Sequence, residues 1–96
     1  MKESAITTKI LHYLNSLPQT VAFKHHGGMY SNAGVSDIIG VTQGRALFVE
    51  VKTPEKRDNT TKLQEIFIDK VKEAGAIAFI ACSVEEVKNK LESELN

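Results

Sequence analysis

The sequence predicts an α/β domain in which helices flank a mixed four-stranded sheet. Three observations lead to this fold class. Amphipathic helical patterns alternate with short apolar runs in the order α-β-β-β-α-β-α. A glycine turn signal joins two of the apolar runs into an antiparallel hairpin. A helical segment then leads to one more apolar run, and a strand–helix–strand unit of this kind is parallel and right-handed.

Length and composition point to one small domain without membrane segments. The chain has 96 residues, enough for a single core, so we expect residues 1–96 to form one domain. No apolar run approaches the ~20 residues of a membrane span, and the first residues lack a signal-peptide pattern. Cys82 is the only cysteine, which argues against a disulfide framework or a thiolate zinc cluster. We expect a soluble, cytoplasmic protein with no membrane partner.

The first two elements are a helix and a strand. An apolar stripe at helical spacing predicts a helix over residues 3–17, and Pro18 marks its end. Residues 21–26 form a strand, which Gly27-Gly28 ends. Residues 27–35 are rich in Gly, Ser and Asn and should form a loop.

The hairpin follows this loop. Its strands are predicted over residues 36–41 and 46–52. They are joined by a two-residue turn at Gln43-Gly44 or by a four-residue loop from Thr42 to Arg45, and both give the same register. Both faces of the hairpin are largely apolar, which is typical of a sheet covered on both sides. We therefore expect helices on both faces.

The last part of the chain adds a helix, a strand and a helix. A polar loop over residues 53–59 precedes a helix over residues 61–74, and Gly75 ends that helix. Residues 76–82 should form a buried strand. The pattern from Ser83 to Glu86 is a capping box that opens the last helix. The residues of the middle helix that we expect to face inward are Leu63, Ile66, Phe67, Val71 and Ala74.

Three charged residues converge at one end of the hairpin. In the register set by the two-residue turn, Asp37 lies directly opposite Glu50, and Lys52 points to the same face. Cross-strand partners have Cβ atoms roughly 5 Å apart. A charge on a largely apolar face must be paired, ligate a metal or reach solvent. The simpler alternative is an ion pair of Lys52 with Glu50 or Asp37 and no chemistry.

The two carboxylates suit a hard cation. They repel each other unless a positive charge lies between them, and Mg²⁺ prefers one or two carboxylates completed by water and substrate phosphate. The metal would polarise a phosphoryl oxygen and orient the nucleophile. Lys52 would hold the attacking water and stabilise charge developing on phosphorus. The implied reaction is phosphodiester hydrolysis.

Four short stretches carry a resemblance to a known superfamily. They are Glu3, Ser36-Asp37, Glu50-Val51-Lys52 and Gln64. Their types, order and spacing resemble the PD-(D/E)xK nucleases, whose restriction-endonuclease-like core has the same αβββαβ order. The chain is more closely similar to the VRR-NUC family, in the short stand-alone form typical of phages and prophages. The departure is Ser36, where the superfamily name expects proline.

The resemblance implies roles for these residues. Asp37 and Glu50 would ligate Mg²⁺ or Mn²⁺ through their side chains, and Val51 through its backbone carbonyl. Lys52 would act on the attacking water, as a general base or by orienting it. The residues that would support the metal or the water from neighbouring helices are Glu3 and Gln64. Each of these two also has a purely structural explanation, as a helix-dipole acid and as part of a capping box.

The resemblance also implies partners. Family members of this size are associated with homodimers that cut branched DNA such as four-way (Holliday) junctions. A net charge of zero argues mildly against nucleic-acid binding, although the residues before Glu85 carry ten basic and eight acidic side chains. Other readings stay open: a flap or single-strand nuclease with the same site, a restriction-type or RNA-directed nuclease, and a non-catalytic binding module.

A few further side chains are candidates for contact with substrate or with a second copy. Those that flank the predicted site are His25 or His26, the basic loop residues Lys56, Arg57 and Lys62, and Met29 with Tyr30. The basic residues suit phosphate contact, and they are equally consistent with an ordinary solvated loop. Ile68 falls off the expected inward stripe of its helix and is a candidate interface residue.

Overall fold

The structure, a computed structural model, describes residues 1–26 and 34–95 and has the predicted order of elements. These elements are α1 (Glu3–Asn15), β1 (Thr20–Lys24), β2 (Ile38–Thr42), β3 (Arg45–Val51), a short 3₁₀ turn (Pro54–Lys56), α2 (Lys62–Glu73), β4 (Ile77–Ala81) and α3 (Val84–Leu95). The strands form one sheet in the order β1-β2-β3-β4. β1, β2 and β3 pair antiparallel, and β3 pairs with β4 in parallel, so the predicted mixed sheet is confirmed.

Helices α1 and α3 cover one face of the sheet and enclose the main core. Side chains from both helices pack against alternate residues of all four strands, as period-2 burial requires. The buried apolar residues of this core are Ile6, Ile10, Leu14, Ala22, Ile38, Leu47, Val49, Val51, Ile77, Phe79, Ala81, Val87 and Leu91. None of the helices within the described ranges is long and apolar enough to cross a membrane.

Helix α2 covers part of the other face, and its buried stripe differs from the prediction. None of its residues is fully buried, and Leu63 and Ile66, which were expected to face inward, are 53% and 40% exposed. The half-buried residues of α2 are Gln64, Phe67, Ile68 and Val71. Ile68 thus lies on the packed side, and its candidacy as an interface residue stays a prediction. The stripe is rotated because Gln64 turns toward the sheet, while Phe67 packs edge-to-face on Phe48 at 5.2 Å between ring centroids.

The hairpin turn has two residues, as predicted. Gln43 and Gly44 both have positive φ, 48° and 80°, as in the turns that match strand twist in two-residue hairpins. Thr42 pairs with Arg45, and the register continues unchanged toward the start of β2. One step beyond the last paired residues, this register sets Asp37 opposite Glu50.

Two features mark the β1 side of the sheet. The Asn15 side chain, at the end of α1, accepts a hydrogen bond from Ala22 N and donates one to Ala22 O, each at 2.9 Å. On the α2 side of the sheet, helix α2 leaves β1 and β2 uncovered. Val21, Phe23 and Val41 are therefore 67%, 57% and 51% exposed. We call these three residues the sheet patch.

Candidate active site

The charged residues of the hairpin lie together on the α2 side of the sheet. Glu50 is in β3, Lys52 follows the last residue of that strand, and Asp37 immediately precedes β2. Lys52 Nζ lies 3.7 Å from Glu50 Oε2, and both side chains are largely buried, 13% and 4% exposed. The site therefore combines two carboxyl groups and an ammonium group within one small volume.

Glu50 is the most strongly perturbed group. Its Oε2 accepts a hydrogen bond from Gln64 Nε2 at 3.1 Å, whereas its Oε1 is buried and receives no hydrogen bond from any described residue. The pKa of Glu50 is raised to about 8. Burial is the largest cause, and the charge of Asp37 and a side-chain hydrogen bond with it also raise the pKa. Lys52 opposes the rise in pKa. Without a cation, this carboxyl keeps its proton near neutral pH.

Asp37 is held by backbone contacts. Its Oδ2 accepts a hydrogen bond from Val51 N at 2.9 Å, and its backbone carbonyl accepts one from His25 N at 2.7 Å. In an extended strand the N–H and C=O of one residue face the same neighbour. The Val51 carbonyl therefore points toward the side on which Asp37 lies, as its predicted role as a ligand requires.

Gln64 takes part in the cap of α2 and also contacts Glu50. Its Oε1 accepts a hydrogen bond from Thr61 N at 3.0 Å, while Thr61 Oγ1 accepts one from Gln64 N at 3.1 Å, which completes a capping box at the start of α2. Its Nε2 remains free to donate to Glu50. The sequence was consistent with either a capping role or a contact with the site for Gln64, and in the structure Gln64 makes both contacts.

Glu3 stands further from the centre. It is exposed at the start of α1, and its charge is the weakest of the influences that raise the pKa of Glu50. Across residues 1–26 and 34–95, no three His, Cys, Asp or Glu side chains lie close enough to hold a metal ion together. Asp37, Glu50 and the Val51 carbonyl are the groups that would hold a metal ion here, with water or substrate as the other ligands. The buried, unpartnered Oε1 of Glu50 fits such an ion.

A comparison with known protein families identifies the family of this chain. The sequence matches the VRR-NUC domain over residues 4–86 of its 96 residues. The chain belongs to the VRR-NUC family. The predicted resemblance is thus confirmed, and the α/β fold with its four-stranded mixed sheet is consistent with a VRR-NUC nuclease. A comparison with curated proteins finds no significant match.

Membership of the VRR-NUC family indicates a nuclease that acts on DNA. Nucleases of this family typically use divalent metals, which agrees with the pair of carboxyl groups described above. The matched segment contains Asp37, Glu50, Lys52 and Gln64, and it begins one residue after Glu3.

One residue of the basic loop of this VRR-NUC chain has a partner within the protein. Arg57 was a candidate phosphate contact, but both terminal nitrogens of its guanidinium group pair with the Glu86 carboxylate. Arg57 is therefore committed within the protein. Lys56 and Lys62 are exposed on the same segment.

Cys82, the last residue of the predicted buried strand over residues 76–82, contacts the same arginine. It is half-buried, and its Sγ accepts a hydrogen bond from Arg57 at 3.2 Å. No signal in the sequence indicated either partner of Arg57.

The histidines and the glycine-rich loop complete the surroundings of the VRR-NUC site. Continued by one step, the β1–β2 register puts His25 opposite Asp37, on the α2 side of the sheet. His25 Nε2 is buried and has no hydrogen-bond partner among the described residues, whereas His26 is exposed. The other two candidates, Met29 and Tyr30, lie outside the described residues.

Proposed function

We propose that this protein is a Mg²⁺- or Mn²⁺-dependent, structure-selective endonuclease that hydrolyses phosphodiester bonds in branched DNA. Its preferred substrate is the four-way (Holliday) junction, which it resolves as a homodimer. The observation that carries the proposal is the buried Glu50 Oε1, which has no donor among the described residues and lies beside a second carboxyl group. Burying such a pair without a cation costs free energy, and folding does not require it.

The residues of the chain have distinct tasks in this hydrolysis. When bound, a divalent ion supplies Lewis-acid chemistry, because it polarises the scissile phosphate and lowers the pKa of a coordinated water. Asp37 and Glu50 would hold such an ion through their carboxylate oxygens, together with the Val51 carbonyl. Gln64 donates to Glu50 Oε2 at 3.1 Å and leaves Oε1 without a donor among the described residues.

Lys52 acts on the reacting groups. Its ammonium group lies 3.7 Å from Glu50 Oε2 and is largely buried, so few solvent molecules screen its charge. From this position it orients the attacking water and stabilises the negative charge that develops on the phosphate oxygens. Water oxygen forms the new bond to phosphorus as the bond to one ester oxygen breaks. The attacking water releases a proton to solvent, and the departing ester oxygen takes up a proton from solvent.

Two features support the proposed homodimer: the symmetry of the substrate and an exposed apolar surface. Each chain carries one candidate site, and resolving a symmetric junction requires two cuts, which a two-fold dimer supplies. The sheet patch of Val21, Phe23 and Val41 is apolar and exposed, and we assign it to the contact between two copies. Exposed Leu63 and Ile66 on α2 add apolar surface.

Cleavage of a labelled four-way junction tests the activity. Matched flap, duplex and single-stranded substrates are included, and each is incubated in EDTA, Mg²⁺ and Mn²⁺. We expect paired cuts near the branch point that depend on the metal and are lost in Glu50→Gln and Lys52→Ala. Lys90→Ala, an exposed change on α3, is the matched control and should cut normally. Metal-dependent cutting of another substrate would reject the junction assignment, and tight binding without any cutting would indicate a non-catalytic module.

Light scattering tests the dimer. We expect twice the 10.6 kDa mass of one chain at micromolar concentration. Val41→Lys should shift the mass toward the monomer, because it buries a charge in the proposed contact. A monomeric wild type would contradict resolution by a stable dimer.

A further inference from the structure

The loop between β3 and α2 connects two parts of the candidate site. It begins directly after Lys52, and it ends at Thr61, the N-cap of α2, three residues before Gln64. The path of this loop therefore determines how Lys52 and Gln64 are placed relative to Glu50. A loop of this length is mobile unless it is fastened between its ends.

Arg57 fastens the loop at its middle. Its guanidinium group donates to both oxygens of the Glu86 carboxylate, through Nη1 to Oε1 at 2.7 Å and through Nη2 to Oε2. The same Nη1 donates to Cys82 Sγ at 3.2 Å. A fork-like pair of this kind fixes orientation as well as distance.

Glu86 is itself held rigidly. Its Oε1 accepts a hydrogen bond from Cys82 N at 2.8 Å, and its backbone N donates to Ser83 Oγ at 3.2 Å in the first turn of α3. Arg57 and this backbone contact lower the pKa of Glu86, so its carboxylate stays ionised. The partner of Arg57 is thus a fixed point of the fold rather than a flexible surface acid.

The pair also continues the sheet where strand pairing stops. Lys52 N donates to Ala81 O at 3.1 Å, which is the last backbone bond between β3 and the β4 segment. The next residue of that segment is Cys82, which binds Arg57 through its sulfur and Glu86 through its N–H. Side chains therefore hold the chain beyond the point where the backbone leaves the sheet.

From these contacts we infer that Arg57 and Glu86 are positioning residues of the nuclease site, which hold the loop so that Lys52 and Gln64 stay aligned on Glu50. This inference rests on the proposed function and deepens it. Neither residue touches the substrate. Arg57 Nη1 and Nη2 both donate within the protein, so we assign this guanidinium group to the fold rather than to a DNA phosphate.

Kinetics distinguish positioning from phosphate contact. With junction DNA and Mg²⁺, we expect Arg57→Ala to lower kcat about 10- to 100-fold, because a displacement of ~1 Å in a catalytic group has effects of this size. KM and the dependence of KM on salt should stay unchanged. Arg57→Lys keeps the charge but loses the fork, so it should not restore kcat. A normal kcat with a raised KM and a salt slope reduced by about one would show a phosphate contact and overturn the inference.

A double-mutant cycle tests whether the two residues act as one unit. The variants are Arg57→Ala, Glu86→Ala and the combination of both. Because each residue would act through the other, the double variant should lose no more kcat than the worse single variant. Losses that multiply would overturn the inference. Lys56→Ala is the neighbouring control, and as an exposed basic change it should affect KM and not kcat.

Amide hydrogen exchange separates positioning from general stability. In Arg57→Ala we expect faster exchange over residues 53–60, with unchanged protection in β3 and β4. Loss of protection throughout the sheet would indicate a merely structural role and reject the inference. Cleavage by the wild type is measured first. An inactive wild type rejects the proposed function and this inference with it, whereas an active wild type with a fully active Arg57→Ala rejects this inference alone.

Discussion

Replacing Glu50 with glutamine should stabilise the metal-free protein while it abolishes cleavage. In the fold the pKa of Glu50 is raised from 4.5 to about 8 by burial and by Asp37. A carboxyl with a raised pKa favours the folded state most below its unfolded pKa, and this stability is lost as the pH rises from about 4.5 through about 8. Glutamine has the same shape and carries no charge at any of these pH values.

The size of this stability difference follows from the interval between the two pKa values, 4.5 and about 8. At about 1.4 kcal/mol per pH unit, full ionisation of Glu50 in the fold costs up to about 5 kcal/mol with the effect of Lys52 already included, and screening by solvent reduces this to about 2 kcal/mol. Glu50→Gln should therefore match the wild type at pH 5 and exceed its free energy of unfolding by about 2 kcal/mol at pH 9.

Urea unfolding in EDTA at pH 5, 7 and 9 measures this difference. Glu92→Gln, an exposed change on α3, is the control and should stay within about 0.5 kcal/mol of the wild type at each pH. Mg²⁺ added at pH 8 should stabilise the wild type, because the ion binds the folded state, and should have little effect on Glu50→Gln. A stability difference that does not change with pH, or a variant that is less stable at pH 9, would refute the reasoning.

Three further changes test parts of the frame around the site. Thr61→Ala removes the cap and should lower the free energy of unfolding in urea by about 1 kcal/mol with cleavage retained. Gln64→Ala should lower both the free energy of unfolding and the rate of cleavage. Equal losses of cleavage in the two variants would contradict separate roles. Gln43→Asn should raise the free energy of unfolding by about 0.5–1 kcal/mol, since asparagine tolerates the positive φ of 48° better; a lower melting temperature would count against this. Gly40→Ala should cost at least about 2 kcal/mol, because a Cβ there would lie 2.4 Å from Val21 O, and near-wild-type stability would contradict that contact.

The hairpin was predictable because its signals are local. A two-residue turn at Gln43-Gly44 sets the register, and the register alone brings Asp37, Glu50 and Lys52 to one place. The order of elements and the parallel pairing of β3 with β4 follow from apolar periodicity and from connection rules. Sequence reasoning worked where one neighbouring element determines the next.

The rest depended on packing between segments that are far apart in sequence. The apolar residues of α2 predicted a stripe through Leu63 and Ile66, but in the structure Gln64 faces the sheet and donates to Glu50, while Leu63 and Ile66 are exposed. The pairing of Arg57 with Glu86 joins residues 29 positions apart, and no periodicity or motif indicates it. In the case of α2, a polar residue lies on the packed side of an apolar helix. In the case of Arg57 and Glu86, the path of a loop brings the two residues together.

The two hydrogen bonds between Asn15 and Ala22 restrict how a second chain can approach. β1 is the outer strand of the sheet, and its unpaired backbone groups would ordinarily be open to β-augmentation by another strand. Asn15 occupies both the N–H and the C=O of Ala22, the central residue of that strand. A partner strand therefore cannot extend the sheet without first displacing this amide. At this edge of the sheet, contact with another chain is therefore left to side chains, whereas β4 forms the opposite edge.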